Sequence, residues 1–127
     1  MSAEEGIIWG KFLVAFGSNY LRFDYDLRVG NGITPIENIP TIFKQDYEDL
    51  TKKRIDAVGY NNNIATIFEV KQRSGLSAIG QLLGYRDLFI KSFSQFTVNK
   101  LILVCGSASP EDQEIIKKNG IGILIFT

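Results

Sequence analysis

Residues 54–71 read RIDAVGYNNNIATIFEVK, and this stretch decides the fold. Two runs rich in Ile, Val, Tyr and Phe, 54–60 and 64–70, flank three asparagines, Asn61, Asn62 and Asn63. Asparagine tolerates positive φ, so the pair is expected to be a β-hairpin. Strand side chains alternate between faces, so Glu69 and Lys71 point the same way from the end of the second strand. Asp56 lies on the strand beside it. A turn made by the asparagines places Asp56 opposite Phe68, one place from Glu69. A small bulge or the sheet twist then has to bring the two carboxylates together.

Working outward, the segment SAIGQLLGYRDLF (77–89) reads as a helix over 77–93. Gln81 and Tyr85 are four apart and share a face, as do Gly80 and Gly84. A glycine inside a helix costs about 1 kcal/mol relative to alanine. Two at this spacing suit either the close approach of a backbone or ligand, or the plainer case of helix-on-sheet packing. An apolar strand follows from Lys100 to Cys105. Ser109, Pro110, Glu111 and Asp112 then form a helix start, with a serine cap, proline at the first position and acids in the first turn. That helix stops at Asn119–Gly120, and a last apolar strand covers 121–126.

Towards the N-terminus, residues 3–16 space their apolar side chains as a helix does, and Gly17 breaks the pattern. Residues 20–29 alternate as a strand, with Leu21, Phe23, Tyr25, Leu27 and Val29 on one face and Arg22, Asp24, Asp26 and Arg28 on the other. Residues 30–51, with Gly30, Gly32, Pro35 and Pro40, show no period and read as a long irregular loop. The expected fold is a single α/β domain over 1–127. It has a central mixed β-sheet flanked by helices, in the order αβββαβ with one further αβ unit.

Composition narrows the chemistry. The chain has 127 residues, 45% of them hydrophobic, enough for one real core. No apolar run reaches the length of a membrane span, and the first residues lack the features of a signal peptide. The expectation is therefore an intracellular protein with no membrane segment. Cys105 is the only cysteine and is expected to be a buried structural thiol, which leaves no intrachain disulfide and no zinc cluster. There is no histidine, so Ser-His-Asp triads, Cys-His pairs and histidine-ligated metals are excluded. Fourteen basic and fourteen acidic residues cancel, a balance that neither points to nucleic acid nor excludes it.

What remains is carboxylate and lysine chemistry. Two carboxylates a few ångströms apart repel, and one takes up a proton unless a cation neutralises them. A few oxygen ligands suit Mg²⁺ or Mn²⁺, which retain several waters. Such an ion lowers the pKa of a bound water and stabilises charge on a phosphoryl oxygen. A lysine beside it can hold that water or steady the transition state. An Asp, twelve residues, then Glu-x-Lys is thus a complete hydrolytic set for phosphodiesters. The same residues also suit a strand-end ion pair beside a solvated aspartate.

Asp56, Glu69 and Lys71, followed by Gln81 and Tyr85 on the next helix, resemble the PD-(D/E)XK nuclease superfamily. Within it, the chain is similar to RecB-like and archaeal Holliday-junction-resolvase-like members. The likeness is strongest from Arg54 to Phe89. It implies a restriction-endonuclease-like fold and a DNA-cleaving deoxyribonuclease using Mg²⁺ or Mn²⁺. Asp56 and Glu69, with the carbonyl of Val70, would hold the metal, and Lys71 would orient the attacking water. Gln81 would position Lys71 or the scissile strand, and Tyr85 would stack on or hydrogen-bond to DNA. Family members often add an acid from the first helix, here Glu4 or Glu5. Ile55 stands where Pro is usual, and the upstream histidine of RecB-like members is missing. Lys52, Lys53, Arg54, Arg73 and Arg86 cluster in sequence around the site and suit phosphate contacts. The competing readings are a non-catalytic module that binds nucleic acid or a protein on the same fold, and a domain whose strand-end charges are only structural. A homodimer, using apolar surface in Ile33–Phe43 or the first helix, would supply two sites for two strands.

Overall fold

The computed structural model describes residues 1–30 and 53–127. The expected loop over 30–51, Lys52 and the apolar stretch Ile33–Phe43 therefore lie outside the described residues, Gly30 apart. The elements run α1 (Ala3–Phe16), a 3-10 turn (Gly17–Asn19), β1 (Arg22–Val29), β2 (Lys53–Asn61), β3 (Ile64–Ser74), α2 (Ser77–Ser92), β4 (Thr97–Ala108), α3 (Pro110–Lys118) and β5 (Ile121–Ile125). The five strands form one sheet in chain order, β1-β2-β3-β4-β5. β1/β2 and β2/β3 are antiparallel, and β3/β4 and β4/β5 are parallel. This is the expected mixed α/β sheet.

Two apolar layers hold it. Ile8, Trp9 and Phe12 of α1 pack with Ala57, Phe68, Val70 and Val104 on one face. Ala78, Leu82, Tyr85 and Phe89 of α2 pack with Ile55, Val58, Ile67 and Leu103 on the other, where Ile116 of α3 joins them. Coverage of both faces explains why β3 and β4 read as near-continuous apolar runs. The helix ends are encoded locally. Ser2 accepts from the Glu5 N–H while the Glu5 carboxylate accepts from the Ser2 N–H, a reciprocal cap. Ser109 accepts from the Asp112 N–H, and Gly120 leaves α3 at φ 76°. Cys105 is fully buried, and burial pushes its thiol pKa up.

Three expectations change. The turn has two central residues, because Asn61 already pairs with Ile64 and Asn62 takes the left-handed conformation. Ala57 consequently pairs with Phe68, and that register carried one place further sets Asp56 opposite Glu69 rather than Phe68. No bulge is needed between the carboxylates. Second, β3 continues to Ser74, so Lys71 is paired with Cys105 of β4 inside the sheet. Third, the face shared by alternate residues of 20–29 is broken. Phe23 and Tyr25 pack around Trp9 on the α1 side, whereas Leu27 and Val29 join the α2 layer. The switch falls at Asp26, a non-glycine residue at φ 49°. β2 switches at the matching place, Ala57 facing α1 and Ile55 facing α2. Among the described residues, no helix is long and apolar enough to cross a membrane.

Candidate active site

The site forms where β2 leaves β3. The last rung of that ladder is Ala57–Phe68, and beyond it the Asp56 carboxylate takes over from the backbone, its Oδ2 accepting from the Val70 N–H at 2.8 Å. Glu69 follows from β3 on the same side. It is only 4% exposed, and it is one of two buried polar residues among the described ones, with Thr66. Lys71, two residues on, lies on the same face with its Nζ 3.7 Å from Glu69 Oε1. α2 closes the site from above. Tyr85 sits in the core at 9% exposure with its hydroxyl beside the Glu69 carboxyl, and Gln81 lies one helical turn before it.

The electrostatics are unbalanced. Burial, and then the Asp56 carboxyl beside it, push Glu69 up to about 8; Lys71 and the Tyr85 hydroxyl oppose this without overcoming it. Tyr85 is raised as well, by burial and by the two carboxylates. Among the described residues, Glu69 Oε2 and Gln81 Oε1 are buried without a hydrogen-bond partner. A buried acceptor left without a donor costs about 1–3 kcal/mol. The orphaned Glu69 Oε2, beside the Asp56 carboxyl, marks a place that lacks a donor or a cation.

A stability consequence follows for the metal-free protein. Glu69 ionises near 4.5 in the unfolded chain and near 8 in the folded one. Between these values folding takes up a proton, so the Glu69 contribution is greatest below about pH 4.5 and is lost as pH rises through 8. The metal-free midpoint of thermal unfolding is expected to fall from pH 5 to pH 8.5. Glu69→Gln is expected to flatten that fall and to exceed the parent protein's midpoint at pH 8.5. Parallel slopes in the two proteins would contradict the assignment.

The other candidates distribute as follows. Lys53 lines a cleft of about 310 Å³ with Gly80, Gln81, Gly84, Tyr85 and Leu88. No atom of the described residues lies within 4 Å of where a Cβ would sit on Gly80 or Gly84, so helix-on-sheet packing does not account for them. Gly84→Ala is accordingly expected to raise stability by up to about 1 kcal/mol in chemical denaturation. Tyr85 offers the site its hydroxyl; its ring is core rather than rim, which corrects the stacking role. Arg73 is exposed and lines a separate hollow with Glu4, Lys11, Gln72 and Ser107. Arg86 pairs with Asp87 at 3.4 Å and lines a third hollow with Val98, Asn99, Lys100 and Asn119, which no residue of the carboxylate site shares. Arg54 is exposed on β2. Glu5 is committed to its helix cap. No group of three or more Asp, Glu, Cys or His is assembled among the described residues, so neither Glu4 nor Glu5 joins Asp56 and Glu69. The residue missed by the sequence is Asp26, whose left-handed backbone stands across from Asp56; a regular alternation of side chains hides such a kink.

No family model matches the chain, and no curated protein matches it. Solved structures do. EndoMS in complex with double-stranded DNA is 14% identical, over 99% of this chain and 46% of that one, at a TM-score of 0.53. A repair endonuclease from Pyrococcus abyssi is 17% identical, over 99% and 48%, at 0.56. A protein of unknown function is 12% identical, over 96% and 57%, at 0.52. The chain spans about half the length of these structures, and at such identities the likeness establishes a shared endonuclease-like fold.

Proposed function

We propose that the chain is a metal-dependent nuclease that hydrolyses DNA phosphodiester bonds, with Asp56, Glu69 and Lys71 as its catalytic set. The observation that carries this reading is the juxtaposition of the Asp56 and Glu69 carboxyls, with Glu69 Oε2 buried and without a hydrogen-bond partner among the described residues. Hard oxygen donors fit Mg²⁺ or Mn²⁺ and, with no histidine or second cysteine in the chain, fit zinc poorly. Asp56, Glu69 and the Val70 carbonyl would hold the ion. When bound, it would supply a lowered pKa for water and charge stabilisation at the phosphoryl group.

The chain's own residues do the rest. The Val70 N–H fixes the Asp56 carboxylate against rotation. The Lys71 ammonium stands beside Glu69 with its side chain 30% exposed, open enough to reach a water or a phosphate oxygen. Gln81, one turn before Tyr85 on α2, has a buried acceptor oxygen and in this reading would position Lys71 or the scissile strand. The apolar layer beneath α2 keeps bulk water off Glu69 and strengthens each of these interactions. In this reading Lys53, in the cleft beside the site, would contact a nearby phosphate, Arg73 and Arg86 would contact more distant ones, and Tyr85 would contribute only its hydroxyl. A homodimer would use the exposed apolar face of α1, where Ile7 is 63% and Val14 is 91% exposed.

The test is a cleavage panel of linear, circular, single-stranded and branched DNA with Mg²⁺, Mn²⁺ and Ca²⁺, run beside Lys71→Ala. Mg²⁺- or Mn²⁺-dependent cleavage lost in the variant supports the reading. DNA binding without cleavage of any form would instead favour the non-catalytic module.

A further inference from the structure

The β1–β2 ribbon turns over at one rung. Tyr25–Ala57 and Leu27–Ile55 are paired neighbours in the ladder, yet the first pair faces α1 and the second faces α2. Between them stand Asp26 and Asp56. Asp26 has φ 49°, a conformation that costs an L-residue about 1–2 kcal/mol and that Asp, Asn and Gly bear best. Its carboxylate is exposed and makes no hydrogen bond or ion pair among the described residues, so side-chain bonding does not explain the turn. Across the rung, β2 has left the β3 ladder, and the Asp56 side chain occupies the Val70 N–H that a continuing strand would take.

We propose that Asp26 is a positioning residue for Asp56. Its left-handed backbone turns the ribbon over, lifts β2 away from β3 at Asp56, and so swings the Asp56 carboxylate onto the Val70 N–H beside Glu69. The purpose rests on the metal-nuclease reading; the geometry does not. A β1 that kept regular alternation would carry Leu27 and Ile55 to the α1 side and extend the β2–β3 ladder past Asp56, tying the aspartate into the sheet. The role belongs to the backbone, so the carboxylate of Asp26 is dispensable.

The experiment compares Asp26→Gly, Asp26→Asn and Asp26→Val in the full chain by two measurements. One is hydrogen exchange of the Val70 amide in the metal-free protein under conditions where each variant is folded. The other is Mn²⁺ affinity by calorimetry. The Gly and Asn variants are expected to stay within about twofold of the parent in both, because they tolerate the conformation. The Val variant is expected to speed Val70 exchange and weaken Mn²⁺ binding by about tenfold or more, since a β-branched residue resists positive φ. A Val variant that loses only global stability, with Val70 protection unchanged, overturns the proposal. Gly and Asn variants that fail as Val does overturn it too, by showing that the carboxylate matters. If the parent neither binds Mn²⁺ nor cuts DNA, the nuclease reading fails while Val70 exchange still decides the role of Asp26.

Discussion

Lys71→Ala is expected to lower single-turnover DNA cleavage by roughly 10²–10⁴-fold while leaving DNA affinity within a few-fold, because loss of a positioned proton-handling or charge-stabilising group acts on the transition state. Lys71 stands 3.7 Å from Glu69 Oε1 with its side chain partly exposed, so its ammonium serves both the carboxylate and whatever approaches from solvent. Removal has a second effect of the same sign. Lys71 is one of the two groups that oppose the upward push on Glu69, so the variant's Glu69 ionises at still higher pH and holds a cation less well. Raising pH and Mn²⁺ together should therefore recover part of the lost rate, but not the part that Lys71 supplies directly. Binding, measured by anisotropy in Ca²⁺, should lose about one unit of salt dependence at most. Unchanged cleavage would end the proposed mechanism.

Asp56→Asn is the second decisive substitution, and its value lies in what it leaves intact. The amide keeps an oxygen that can accept from the Val70 N–H, so the strand departure is preserved and the chain is expected to fold. The charge is gone. Mn²⁺ affinity should fall by more than about 100-fold, since loss of mere outer-shell partners already costs 10–100-fold, and cleavage should fall to background. The same change removes the neighbour that, after burial, does most to raise Glu69, so the pH-dependent fall in stability should be smaller and should end at lower pH. Asp56→Ala differs in one respect: it also strands the Val70 N–H, at a cost of about 1–3 kcal/mol. Calorimetry with Mn²⁺ and thermal unfolding across pH separate the two variants. Retained Mn²⁺ affinity in Asp56→Asn would place the metal elsewhere.

Much of this was legible in the residues. The alternation of β3, the Ser2 and Ser109 caps and the Asn119–Gly120 stop each follow from local chemistry, and every described element was anticipated in kind. So was the pairing of Glu69 with Lys71, which needs only the two-residue period of a strand. Register was less legible, because three consecutive asparagines permit two turn lengths, and one residue of difference decides whether Asp56 meets Phe68 or Glu69. The extent of β3 was hidden by Lys71, Gln72 and Arg73, whose polarity reads as a loop although their backbones pair with β4 or continue that strand. The depth of Tyr85 was also hidden, since a tyrosine four residues from a glutamine looks alike on a rim and in a core. The turn-over at Asp26 left no trace, because apolar residues at 23, 25, 27 and 29 satisfy either pair of faces.

The two-residue turn between β2 and β3 bears on how the protein folds. Asp56, Glu69, Lys71, Gln81 and Tyr85 all fall within residues 56–85, so no long stretch of chain must be closed to bring them together. Loop-closure entropy grows only slowly with length but is smallest for such local contacts, and chains rich in them fold faster. The hairpin can form on the microsecond scale, and its docking under α2 is then the step that buries Glu69. β2, β3 and α2 between them carry both carboxylates, and β1 then sets the orientation of Asp56. The segment that joins β1 to β2 could therefore vary in length among relatives without costing the chain its chemical centre.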